Sequence, residues 1–194
     1  VFKTVELIVG LGNPGNSHDK DRHNVGFWFL DRLCLARNVE LKESGKFNAL
    51  VGRDFSGVWY MKPLTYMNLS GLSVRGLSEY YKIPPNLILV AHDELDLPSG
   101  TVKLKRGGGT GGHNGLRSVE DSIASRDYCR LRLGIGRPNG GQTVTSYVLS
   151  APEQNERRVL EARISKVSEY ADDLIKDFDK SMNIINQSAL LENS

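Results

Sequence analysis

The chain has 194 residues, 39% hydrophobic and 25% charged, with a net charge of +2. That balance excludes a disordered or low-complexity polymer and predicts one globular domain over residues 1–187, with a frayed tail over 188–194. No apolar run approaches the length of a membrane span and no signal-like apolar core opens the sequence, so a cytoplasmic protein without membrane contact is expected.

In chain order, the apolar run at 5–11 predicts a first strand, which ends in Gly10-Leu-Gly12-Asn13-Pro14-Gly15. A helix is expected over 24–37, then strands at 47–54 and 57–62 that read as a hairpin. A helix over 68–81 leads to strands at 86–92 and 101–106, a helix over 115–125 and a strand at 130–135. The last helix is expected over 152–178. There Ser150 and Glu153 spell a capping box beside Pro152, and Leu160, Ile164, Val167, Ala171, Leu174 and Phe178 recur at helical spacing. Strands alternating with helices predict an α/β protein, a single-domain three-layer α/β/α fold with a mixed, mostly parallel twisted sheet.

The first glycine turn spells G-x-G-x-x-G, the dinucleotide-binding pattern. That function needs the third glycine to open a helix facing the pyrophosphate. Here Gly15 is followed by the polar stretch 16–22, without apolar periodicity, and Asp31 falls inside the next helix. The nucleotide reading therefore fails on context. A second cluster, Gly107 to Gly115, lacks the Lys-Ser/Thr pair of a phosphate loop, with His113 in its place. Its glycine density still points to unusual backbone or to close approach of a ligand.

Placed on these elements, the distinctive polar residues gather at one rim. Asn13 and His23 follow the first strand, Asn68 follows the strand at 57–62, and Asp93 follows the strand at 86–92. His113 and Asn114 precede the helix at 115–125. Strand ends of this kind are where open α/β sheets bind ligands. The plainer alternative makes Asn24, Asn68 and Asn114 helix N-caps.

No serine sits in a nucleophile elbow, and Cys34 and Cys129 lack a neighbouring base, reading instead as reduced thiols. His23, His92, His113 and Asp93 match no recognised ligand spacing, so no metal is expected. A histidine base, an aspartate to orient it and several side-chain amides remain. That set suits hydrolysis of an acyl compound by activated water. Lys103 and Lys105 share one face of their strand, and Arg130 and Arg132 repeat the pattern, with Arg106, Arg117 and Arg137 nearby. Such a strip suits a phosphate backbone, or is simply a solvated sheet face. A non-catalytic RNA-binding module using the same strip is the alternative function.

The chain resembles the bacterial-type peptidyl-tRNA hydrolases over nearly its whole length. The resemblance rests on Val9-Gly-Leu-Gly-Asn13-Pro-Gly15, Arg22-His23-Asn24-Val-Gly26, Lys62-Pro-Leu-Thr-Tyr66-Met-Asn68-Leu-Ser-Gly71, His92-Asp93-Glu-Leu-Asp-Leu-Pro98 and Gly111-Gly-His113-Asn114-Gly115-Leu116. It implies cleavage of the ester between a peptide and the 3′-terminal adenosine of tRNA, by a monomer with no metal or cofactor. It also implies that His23 is the general base and Asp93 the residue holding it. Asn13 then stands where N-blocked peptidyl substrates are told from free aminoacyl-tRNA. Asn68 and Asn114 correspond to substrate-positioning amides, with Tyr66 in the aromatic position and His113 as a motif neighbour of unassigned role. His18 departs from the family, which usually carries a tyrosine near the tRNA terminus; an imidazole there can still stack or donate to a phosphate. Lys103, Lys105, Arg106 and Arg132 are the expected tRNA phosphate contacts.

Overall fold

The computed structural model describes residues 4–187; the tail expected over 188–194 lies outside them. The chain runs β1 (Leu7–Gly10), α1 (Val25–Ala36), β2 (Lys42–Ser44), β3 (Ala49–Arg53), β4 (Trp59–Pro63) and α2 (Ser70–Tyr80). It continues through β5 (Ile88–Glu94), β6 (Val102–Arg106), α3 (Asn114–Ile123), β7 (Cys129–Gly134), α4 (Val144–Val148), α5 (Gln154–Ser168), α6 (Ala171–Lys176) and α7 (Phe178–Gln187).

The strands form one sheet in the order β2-β3-β4-β1-β5-β7-β6. β4, β1, β5 and β7 are mutually parallel, while β3 and β6 run antiparallel to their neighbours. β1 and the first four residues of β5, Ile88 to Ala91, are apolar because both of their faces are covered. Ile8, Leu89 and Ala91 point into a core built with Phe29, Leu33, Leu160, Ile164 and Phe178, on the side of α1 and α5–α7. Leu7, Val9, Ile88 and Val90 point the other way, against Val74, Leu77, Leu116 and Val119 of α2 and α3. This is the expected three-layer α/β/α arrangement. Each such fully buried aliphatic side chain stabilises the fold by roughly 1.5–3 kcal/mol.

From β1 the chain first builds β2–β4 on one side, then crosses through α2 to β5 on the other, so the strand order reverses at β1. Two glycines let α1 sit directly on that switch point. A Cβ on Gly26 would lie 2.4 Å from the Ala91 carbonyl oxygen, and one on Gly10 would lie 2.3 Å from the Gly26 carbonyl oxygen. Gly10 of the first turn thus serves close packing of helix on strand.

Three elements escaped the sequence pattern: the three-residue β2, the five-residue α4, and α7. The helix expected over 152–178 is broken at residues 169–170 into α5 and α6, yet Leu160, Ile164, Val167, Ala171, Leu174 and Phe178 are all buried as their spacing requires. Its capping box does not form. Glu153 occupies the N-cap position without a side-chain cap, and Ser150 Oγ instead donates to the Tyr147 carbonyl and accepts from Arg22 Nη1, each at 2.7 Å.

Candidate active site

His23 lies in the 3-10 turn Arg22–Asn24 that runs into α1, and Asp93 near the C-terminal end of β5. His23 Nδ1 donates to Asp93 Oδ2 at 2.8 Å. His113 Nε2 donates to Asp93 Oδ1 at 2.7 Å. The tautomers follow from the partners. His113 Nδ1 accepts from the Gly115 and Leu116 N–H groups at 3.1 and 3.2 Å, so its proton is on Nε2. His113, rather than Asn114, is therefore the N-cap of α3. With its Nδ1 proton committed to Asp93, His23 has Nε2 left as an acceptor.

Electrostatics support that division. Burial opposes charge on His23, but the negative charge of Asp93, the hydrogen bond to it and the charge of Asp21 raise its pKa above 6.5. Burial likewise opposes charge on Asp93, and the two imidazoles bonded to it hold its carboxyl well below the usual carboxylate range. Burial pushes both cysteine thiols up to about 12, which suits inert core residues and not nucleophiles.

Asn13 is buried beside this pair with its amide orientation fixed. Its Oδ1 accepts from the Met67 N–H at 2.7 Å, so the amide presents its NH₂ group as a donor. Asn24, read from sequence as a possible cap, makes no cap bond and instead braces the Asn13 main chain.

These groups open onto a cleft of about 500 Å³ that Tyr66, Met67, Asn68, Thr110 to Asn114 and Glu94 also line. Asn68 and Asn114 are exposed at its wall. A further wall comes from α4 and the residue after it, through Val144, Thr145, Val148 and Leu149. Arg22, next to His23, anchors that wall. It donates to the Tyr147, Ser150 and Ala151 carbonyls, pairs with Glu156 at 2.8 Å, and lies 4.2 Å over the Tyr147 ring. Nothing in the sequence pattern marked Arg22 or α4 for this role.

His18 is not part of the cleft wall; its Nδ1 bonds Asp21 Oδ2 at 2.8 Å in the turn before His23. His92 points away, with both ring nitrogens engaged: Nδ1 donates to the Asp93 carbonyl at 2.8 Å and Nε2 accepts from Arg130 Nε at 3.2 Å. The expected cationic strip is a shared face, since Lys103 pairs in register with Arg132 and Lys105 with Arg130. Its members differ, however. Arg130 is 2% exposed, Lys103 donates to the Asn186 carbonyl, Arg106 pairs with Asp179 and Arg132 with Glu94.

His23, Asp93 and His113 also place one ligand atom each within 4.8 Å of one another, as a metal site would. Both imidazole N–H groups are spent on the carboxylate, so an ion there would have to displace both hydrogen bonds.

Three comparisons bear on this cleft. The family model described as peptidyl-tRNA hydrolase matches residues 7–193. A peptidyl-tRNA hydrolase of Coxiella burnetii is 48% identical over 179 residues, covering 92% of this chain and 95% of its own. One from Neisseria gonorrhoeae is 46% identical over 175 residues, covering 89% and 91%. The crystal structure of peptidyl-tRNA hydrolase from Acinetobacter baumannii superimposes with a TM-score of 0.90 at 41% identity, over 96% of this chain and 97% of that one. The chain belongs to the peptidyl-tRNA hydrolase family.

Proposed function

We propose that this protein hydrolyses peptidyl-tRNA, cleaving the ester between the peptide and the 3′-terminal adenosine and so returning tRNA from aborted translation. The observation that carries this is the pairing of His23 with Asp93 beside the fixed amide donor of Asn13, in a cleft of a chain of this family. Water is the nucleophile. His23 Nε2 takes its proton as the oxygen attacks the ester carbonyl, and Asp93 stabilises the imidazolium that forms. The Asn13 NH₂ group donates to the carbonyl oxygen as negative charge grows there. His23 then returns the proton to the departing ribose oxygen.

Asn68 and Asn114 bind the substrate, Tyr66 packs against it, and His113 holds Asp93 in line. His18 meets the end of the tRNA, and Lys103, Lys105, Arg106 and Arg132 meet its phosphates. No cofactor takes part. The catalytic domain is residues 1–187, working as a monomer in the cytoplasm. Two unpaired buried cysteines fit that reducing compartment.

The test is release of the acyl-amino acid from N-acyl-aminoacyl-tRNA by purified protein in the presence of a chelator. His23→Ala should lose about 10²- to 10⁴-fold in kcat and still bind tRNA. No release by the wild-type protein would overturn the assignment.

A further inference from the structure

We propose that Arg130 is a positioning residue for this hydrolysis, its guanidinium fork tying the glycine loop of the cleft to the strand end that carries Asp93. The proposal rests on the activity assigned above. Arg130 stands in β7 and is 2% exposed. Its Nε donates to His92 Nε2 at 3.2 Å, and its Nη1 donates to the Gly107 and Gly109 carbonyls at 3.3 and 3.0 Å. The nearest carboxylate is Glu94, 3.9 Å from Nη2, and the same Glu94 oxygen already accepts from Arg132 Nε at 2.8 Å. A buried cation ordinarily sits against a carboxylate. This one spends its close hydrogen bonds on neutral acceptors, a task for a rigid planar fork of donors that no lysine can reproduce.

Both ends of the fork reach the machinery. Accepting at Nε2 forces the His92 proton onto Nδ1, from which it donates to the carbonyl of Asp93 at 2.8 Å. Burial, with His113 and Arg130 close by, keeps His92 neutral, so that bond persists. At the other end the fork grips the start of the loop 107–112. Gly107, Gly108, Gly111 and Gly112 all have positive φ, which leaves little side-chain packing to hold the loop. Thr110, Gly111 and Gly112 wall the cleft, and His113 and Asn114 follow directly. One side chain therefore sets the spacing between the Asp93 carboxylate and the imidazole of His113 that bonds it.

The experiment compares Arg130→Lys, Arg130→Met, His92→Asn and the double variant Arg130→Met/His92→Asn with wild type. It measures kcat and KM on N-acyl-aminoacyl-tRNA and the folded fraction by thermal unfolding. Each single variant should lose about 10- to 100-fold in kcat with little change in KM, the size expected of a small misplacement of catalytic groups. The double variant should lose no more than the worse single, since both cut one relay. Long-range ¹H–¹⁵N spectra should show the His92 Nδ1–H tautomer in wild type and in Arg130→Met, with the Nε2 resonance shifted in the variant because its hydrogen-bond donor is gone. Should Arg130→Met fail to fold, Arg130→Lys and His92→Asn carry the same test. Full kcat per folded molecule with only a lower unfolding midpoint, or strictly additive losses, would overturn the positioning role. A wild-type protein without hydrolysis would overturn the assigned reaction itself.

Discussion

The side-chain amide of Asn24 clasps the main chain of Asn13. Asn24 Oδ1 accepts from the Asn13 N–H at 2.9 Å and Asn24 Nδ2 donates to the Asn13 carbonyl at 2.9 Å. Asn24 is 1% exposed, so water cannot readily take its place. Asn24→Ala should cost about 1–3 kcal/mol by leaving buried main-chain groups unmet. It should also lower kcat, as Asn13 drifts from its amide position. Thermal unfolding and steady-state kinetics check the two effects, and an unchanged kcat would show that Asn13 needs no brace.

Asp93→Asn has a defined failure. The carboxylate accepts from two imidazoles at once, and a carboxamide has only one oxygen to offer. Whichever way Asn is turned, its NH₂ group meets an N–H, and one histidine must change tautomer. His113 is held by two main-chain donors, so the change should fall on His23, whose Nε2 then carries the proton and ceases to be a base. A kcat loss on the order of 10²- to 10⁴-fold is expected at unchanged tRNA affinity, read by single-turnover hydrolysis and filter binding.

The pH dependence follows from His23, which faces Asp93 from β5, His113 from the loop before α3 and Asp21 from its own turn. Its folded-state pKa is raised above 6.5, so kcat/KM should fall on the acid side with a midpoint above that value. The sign for stability is opposite. A raised histidine contributes stability fully present below its unfolded value and lost as pH rises through its folded value. Asp93 is depressed, so its contribution is present above the ordinary value of 3.8 and is lost as pH falls toward its folded value. Urea unfolding of wild type and His23→Ala should show the stability gap narrowing between pH 5 and pH 9. A gap that widened would reverse the assignment.

The parts of the site legible in the sequence are those whose residue types are unusual for their place. Asn13, His23 and Asp93 stood out because polar groups at the ends of apolar strands need a reason. Asn24 did not, since an asparagine before a helix is ordinarily a cap. Arg130 was hidden by alternation: it shares a pattern with Arg132 and Lys105, and only the third dimension shows that the glycine loop covers it. The short elements were lost for local reasons. Lys42-Glu43-Ser44 pairs with β3 although two of its three residues are charged and exposed, and Val144 to Val148 is rich in β-branched residues that disfavour helix.

Gly26→Ala is the cleanest probe of how the switch point is packed. The added methyl would meet the Ala91 and Leu11 carbonyl oxygens at 2.4 and 2.6 Å, and backbone cannot step aside cheaply. A cost of about 1–3 kcal/mol is expected, or some 2–4 °C in Tm for each kcal/mol. Because the turn that runs into α1 carries His23 and Asn24, kcat should fall as well. Gly45→Ala, where a Cβ meets nothing within 4 Å, serves as the control.

The outer strand β6 leaves its free side toward α7, where Asn186 Oδ1 accepts from the Leu104 N–H and Asn186 Nδ2 donates to the Leu104 carbonyl, both at 2.8 Å. One side chain thus imitates the peptide group of an eighth strand. A foreign β-strand approaching this border would find the central donor and acceptor already taken, and a helix in its path. Asn186 in this way guards the sheet against edge-to-edge aggregation, a hazard every open sheet must meet at its last strand.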